Sequence, residues 1–135
     1  MAEDLSFDKT YFYKTLESGI TVPIILRLDG TAVEFEAKVD TGAENCILER
    51  RHGETLGLQI ESGAEQIFST ATGIFVAYGH ELTIGVLDIE TVSTVYFAKE
   101  ENYTRNVLGR QGWLDRVKLG LIDYEGKLFL SEYNK

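Results

Sequence analysis

The stretch Thr31-Ala-Val-Glu-Phe-Glu-Ala-Lys-Val39-Asp40-Thr41-Gly42-Ala43 is the most informative run in this 135-residue chain. Through Val39 its apolar and polar residues largely alternate, the period of a half-buried strand. The strand then delivers an acid, a small hydroxyl residue and a glycine. Glycine permits backbone angles that other residues resist, and a threonine hydroxyl can lock a turn through a local hydrogen bond. Such a tripeptide holds a carboxylate in a tight turn, where general acid/base chemistry can use it. An Asp-Thr-Gly surface turn also arises by chance, so the rest of the chain must distinguish the two.

On either side, short apolar-rich runs alternate with glycine turns. They predict strands over 20–28, 31–39, 65–69, 73–86, 90–98 and 127–132. Asp29-Gly30 is a strong hairpin signal between the first two. Pro23 is expected to open its strand or to lie at a sheet edge. Strands this short and closely spaced indicate an all-β barrel or sandwich. Helical signals are few: one short helix within 48–56, and a second over 111–117 whose Trp113, Leu114 and Val117 would share a buried face. Residues 1–14 read as a separate N-terminal extension, and residues 15–135 as one domain.

Composition narrows the function classes. A formal charge of −9 disfavours nucleic acid, whose phosphates reward Lys and Arg. No apolar run reaches membrane-spanning length, so no membrane partner is expected. The first residues lack a signal-peptide pattern, which makes the cytoplasm the default location. Cys46 is the single cysteine, and its Asn-Cys-Ile-Leu context reads as a small buried apolar position. With only His52 and His80 besides, no zinc spacing exists, and neither metal nor cofactor is expected. Phosphoryl transfer fails for want of a Gly-rich loop with Lys and of an acidic cluster for magnesium.

A second landmark, Val107-Leu108-Gly109-Arg110, lies far downstream. Taken with Val39-Asp40-Thr41-Gly42-Ala43, a glycine-bearing hairpin at 68–76 and the closing Asp123-Tyr124-Glu125-Gly126-Lys127-Leu128 turn, it makes the sequence resemble the retropepsin-like aspartic proteases. The resemblance runs from about Thr21 to Tyr133. It implies a closed β-barrel with a flap hairpin and one short C-terminal helix, active as a homodimer.

It also implies a mechanism: an aspartic endopeptidase in which two Asp40 carboxylates, one per chain, activate a water. No second Asp-Thr-Gly or Asp-Ser-Gly occurs, so a lone chain would be inactive. By the same resemblance Thr41 would bond the partner's loop, Gly42 would let substrate backbone come close to the acids, and Ala43 would line the pocket. Glu44 and Arg110 would form a supporting ion pair. Thr70, Ala71, Thr72 and Gly73 would form the tip of a flap over an extended peptide or protein substrate. The alternative is a catalytically silent dimerisation or peptide-binding module on the same fold.

Overall fold

In the computed structural model, which describes residues 2–135, ten strands and one α-helix follow in the order β1 (Lys9–Phe12), β2 (Ile20–Leu28), β3 (Thr31–Val39), β4 (Ile47–Leu48), α1 (Arg50–Thr55), β5 (Ala64–Thr70), β6 (Gly73–Val86), β7 (Ile89–Ala98), β8 (Val107–Leu108), β9 (Val117–Ile122) and β10 (Lys127–Glu132). The all-β expectation holds. The strands expected over 20–28, 31–39, 73–86 and 127–132 form with those bounds. Each is a locally coded unit: in β2, Val22, Ile24 and Leu26 are buried while Pro23 and Arg27 are exposed. Asp29 and Gly30 both take positive φ, 48° and 82°, as a two-residue hairpin turn requires.

Seven strands form one sheet in the order β2-β3-β8-β4-β7-β6-β5, and β2 also pairs with β6, from Ile24↔Val86 to Arg27↔Thr83. The hydrogen-bonded order thus returns to its start, with β5 outside the ring. Pro23 does not open β2, which begins at Ile20. It lies just beyond the β6 pairing, where β2 has β3 as its one neighbour, so its missing N–H costs nothing. Inside the ring, Leu26, Leu48, Ile84, Val95, Phe97, Leu108 and Trp113 are fully buried.

A second, three-stranded sheet has the order β1-β10-β9. Residues 9–12 of the N-terminal segment form one of its strands, and Tyr13 is buried in the core. The expected C-terminal helix over 111–117 does not form. Gly112 adopts φ +109° and Trp113 a non-helical φ/ψ pair of −142° and −61°, so only a 3₁₀ turn at Leu114–Arg116 precedes β9. Trp113 and Val117 are nevertheless buried and Leu114 packs against the core, as the spacing required. The turn takes the helix's place because the Leu114 and Asp115 N–H groups bond back to the Gly109 and Arg110 carbonyls, at 3.0 and 2.9 Å, and the chain then enters β9, which pairs with β10 from Lys127↔Ile122 to Glu132↔Val117. No helix among the described residues is long and apolar enough to cross a membrane.

Candidate active site

Asp40 stands at the end of β3, where two distant loops interlock. β8 inserts between β3 and β4: it runs parallel to β3 through Lys38↔Val107 and Val39↔Leu108, and antiparallel to β4 through Ile47↔Val107. The Asp40 N–H donates to the Leu108 carbonyl at 3.0 Å. Beyond it, the Arg110 N–H donates to Ala43 O at 2.8 Å and the Gln111 N–H to Glu44 O at 2.7 Å. The turn that carries the acid is therefore stitched on its far side to Leu-Gly-Arg, by backbone groups that satisfy one another.

Gly109 makes the stitch possible. A Cβ at that position would lie 2.3 Å from Asn45 O and 2.7 Å from Ala43 O, well inside contact distance, so only glycine fits between the loops. Beneath it lies the Cys46 thiol, which accepts the Gly109 N–H at 3.4 Å. Burial pushes that thiol up to about 11, against the opposing effect of the Gly109 bond. Cys46 is fully buried, as its context predicted, and serves here as packing.

Within the turn, the Gly42 N–H donates to Asp40 Oδ1 at 2.9 Å and the Ala43 N–H to Asp40 O at 3.2 Å. These bonds close the turn. Gly42 does not use the left-handed region. What it provides is room, since a Cβ there would stand 3.3 Å from Asp40 Oδ1. Among the described residues Thr41 makes no side-chain bond that locks the turn, and it is exposed. Asp40 itself is half-buried, so one carboxylate oxygen is held by backbone while the group still meets solvent.

Glu44 and Arg110 are brought together, but not as the expected ion pair. They face one cavity of about 320 Å³ with Gln111, Leu114 and Asp115, yet no salt bridge joins them among the described residues. Arg110 is exposed and Glu44 stands at the same open surface, where water competes with the attraction, and the backbone bonds already hold the loops in register.

The flap residues form the turn between β5 and β6. Thr70 Oγ1 donates to Gly73 O at 3.0 Å and accepts the Thr72 N–H at 3.3 Å, so threonine closes the tip locally. All four predicted tip residues, Thr70, Ala71, Thr72 and Gly73, are exposed. Thr70, Thr72 and Gly73 line a cavity of about 450 Å³ with Phe75, Lys99 and Tyr103. An aromatic chain braces the hairpin: Tyr96 to Phe68 at 5.3 Å, Phe68 to Phe75 at 5.4 Å, Phe75 to Tyr103 at 5.1 Å. A cavity of about 740 Å³ lies elsewhere, between Glu34–Glu36 and the turn at Leu87-Asp88. It contains none of the expected site residues and is an open groove between strands.

Sequence reasoning missed the support behind the site. The Asn106 carbonyl accepts the Lys38 N–H at 2.8 Å, while its side chain clamps Glu49 through bonds of 3.0 and 2.7 Å. Burial raises the Glu49 carboxyl, but the bonds from Asn106 and Arg51 outweigh it and leave the group lowered. His52 lies against this cluster, stacked on Phe35 at 3.6 Å with Nε2 3.7 Å from Glu49 Oε1. Burial lowers its pKa, helped by Arg51 and opposed by Glu49. Nothing in a lone Asn or His marks these contacts beforehand. Among the described residues no group of three or more His, Cys, Asp or Glu is placed to hold a metal.

Comparison with known proteins agrees with this geometry. Residues 24–111 match the aspartyl protease family, a span containing both Asp40 and Arg110. No curated protein gives a significant match. Among solved structures, the EIAV protease complexed with the inhibitor HBY-793 superposes with a TM-score of 0.55 at 18% identity, covering 72% of this chain and 86% of that one. At that identity the likeness speaks for the fold, and the family match over most of the chain speaks for the lineage: this chain belongs to the retropepsin-like aspartyl protease family.

Proposed function

We propose that two copies of this chain form an aspartic endopeptidase, with the ring of pairings from β2 round to β6 closed as a barrel in each. The observation that carries the reading is the interlocked turn. It presents Asp40 half-exposed, with Oδ1 fixed by the Gly42 N–H and with the chain clamped to Leu108, Gly109 and Arg110 behind it. One such carboxylate is half of the chemistry. Two carboxylates brought within a few ångströms cannot both ionise cheaply, so the pair holds one proton between them. Their two titration steps belong to the dyad and to neither residue alone.

The ionised Asp40 takes a proton from a water held between the acids, and that water attacks the peptide carbonyl. The protonated Asp40 of the second chain polarises the carbonyl oxygen and then protonates the departing nitrogen. Thr41, exposed at the turn, is free to bond the partner's turn across the axis. Gly42 lets substrate backbone approach, and Ala43 lines the pocket. Glu44 and Arg110 serve through their backbone bonds. The tip Thr70–Gly73 closes over an extended peptide, with main-chain hydrogen bonds giving affinity.

The test is Asp40→Asn, which keeps the side-chain shape and removes the ionisable oxygen. Cleavage of an unbiased peptide library at acidic and neutral pH should vanish while the circular dichroism spectrum stays the same. Undiminished cleavage by the variant would exclude the mechanism. A wild-type protein that dimerises and cleaves nothing would favour the silent binding module.

A further inference from the structure

The proposed reaction needs a second copy of the chain, and the interface inferred for that copy rests on the proteolytic reading. The three-stranded sheet is completed within one chain. β10 is its centre, paired with β1 from Lys9↔Leu130 to Phe12↔Lys127, and with β9 along its full length. Both hydrogen-bonding rows of the C-terminal strand are therefore occupied. A strand from another copy could join β10 only by expelling β1, and β1 is well secured. The Asp8 N–H donates to Ser131 Oγ at 2.6 Å, the Tyr13 N–H to Gly126 O at 3.0 Å, and Tyr13 Oη to Asp123 Oδ1 at 2.5 Å.

Among the described residues two edges of this sheet stay open, the outer sides of β1 and of β9, and they are not equivalent. β9 begins directly after the Leu114–Arg116 turn. In that turn the N–H groups of Leu114 and Asp115 donate to the carbonyls of Gly109 and Arg110, at 3.0 and 2.9 Å. Those two residues are the ones interlocked with the Asp40 turn. β9 is thus the open edge tied to the acid, whereas β1 lies beyond β10. β9 also ends in partly exposed apolar residues, Leu121 and Ile122 at 41% and 43%, followed by a wholly exposed Tyr124. Edge strands are commonly guarded by lysine. Here Lys118 is engaged elsewhere, with its ammonium 5.3 Å from the Phe7 ring centroid and bonded to the Lys135 carbonyl.

We propose that the β9 edge is the docking surface for a second copy of this chain, pairing antiparallel with its own β9 about a two-fold axis. The result is a continuous six-stranded sheet, β1-β10-β9 followed by the partner's β9-β10-β1. Such a contact is self-complementary and closed, so it stops at the dimer. By symmetry the two Asp40 turns then lie at one height along the axis, each connected to the interface through its own Gly109–Arg116 segment.

The experiment combines sedimentation equilibrium with peptide cleavage on wild type, on Leu121→Lys/Ile122→Lys, and on Phe12→Lys as a control at the β1 edge. Wild type and the control should sediment as dimers. The double variant should be monomeric, with an unchanged circular dichroism spectrum and at least tenfold lower activity per chain. A double variant that still dimerises, a control that dissociates instead, or a wild type monomeric at every concentration would overturn the proposal. Hydrogen exchange on the unmodified protein provides a readout that needs no variant: on dilution to monomer, amides of 117–122 should exchange faster while those of 9–12 do not, and the reverse pattern refutes it. A dimer that protects β9 but cleaves nothing would uphold the interface and sink the proteolytic reading. Cleavage by a dimer whose β9 is unprotected would do the opposite.

Discussion

Replacing Gly109 by alanine should separate the two loops that hold the acid. The added Cβ would start 2.3 Å from Asn45 O, 2.7 Å from Ala43 O and 2.8 Å from the Asn45 carbonyl carbon, all backbone atoms with no rotamer to yield. Ordinary contact is about 3.5 Å, so the loops must part by roughly 1 Å. Overpacking of this kind costs about 1–3 kcal/mol. The Arg110–Ala43 and Gln111–Glu44 bonds, 2.8 and 2.7 Å, lengthen or break, at about 1 kcal/mol each. The total, about 3–5 kcal/mol, is a large share of the ~5–15 kcal/mol that holds a domain folded. Urea denaturation reads it directly: with a slope of about 2 kcal/mol per molar, the midpoint should fall by roughly 1.5–2.5 M. Gly42→Ala is the contrast, because its Cβ would meet only the Asp40 carboxylate, at 3.3 Å. It should cost under about 1 kcal/mol and yet impair cleavage, since it crowds the catalytic oxygen. A Gly109→Ala protein with a midpoint within about 0.3 M of wild type would refute the claim that close backbone approach builds this site.

The groups around the site respond to pH and substitution in their own ways. His52 has its pKa lowered by burial, so the unfolded chain binds its proton first, near pH ~6.5. Stability should be full above that pH and decline as pH falls below it, and His52→Phe should flatten the decline below about pH 6.5 in denaturation midpoints. Tyr13 is pushed up to about 12, chiefly by its hydrogen bond to Asp123, so its contribution is intact below the ordinary tyrosine range and is lost as pH rises toward 12; Tyr13→Phe should remove that alkaline component from a pH-unfolding curve. Arg50 grips Glu61 with two bonds of 2.7 and 2.9 Å and reaches the Lys99 carbonyl at 3.1 Å, tying α1 to the base of the flap hairpin. Because the glutamate is half-exposed, Arg50→Met should cost only about 1 kcal/mol, together with faster hydrogen exchange over 60–64.

The long hairpins and the acid-bearing turn were legible from residues alone because their causes are local. Alternation buries Val22, Ile24 and Leu26, and Asp29-Gly30 turns the chain without help from elsewhere. The same locality placed Asp40 at a strand end. Other features depend on partners far along the chain. Residues 111–117 carry helical spacing, yet only a 3₁₀ turn forms there, and β9, which follows it, exists because β10 is present to pair with it. The strand at 9–12 exists for the same reason. The resemblance implied an ion pair between Glu44 and Arg110, whereas the fold joins their loops through main-chain bonds from Arg110 to Ala43 and from Gln111 to Glu44.

Gly42 and Gly109 show where the boundary lies. Local pattern marked both as glycines, one beside a carboxylate and one beside an arginine. Their reason for being glycine is spatial: one spares the Asp40 oxygen and the other lets two loops touch. The residues by themselves were sufficient to specify an all-β chain with an acid in a turn. Long-range hydrogen bonding, which no short window encodes, settled how that acid is clamped, where an expected helix shrank to a single 3₁₀ turn, and which sheet edges remain open.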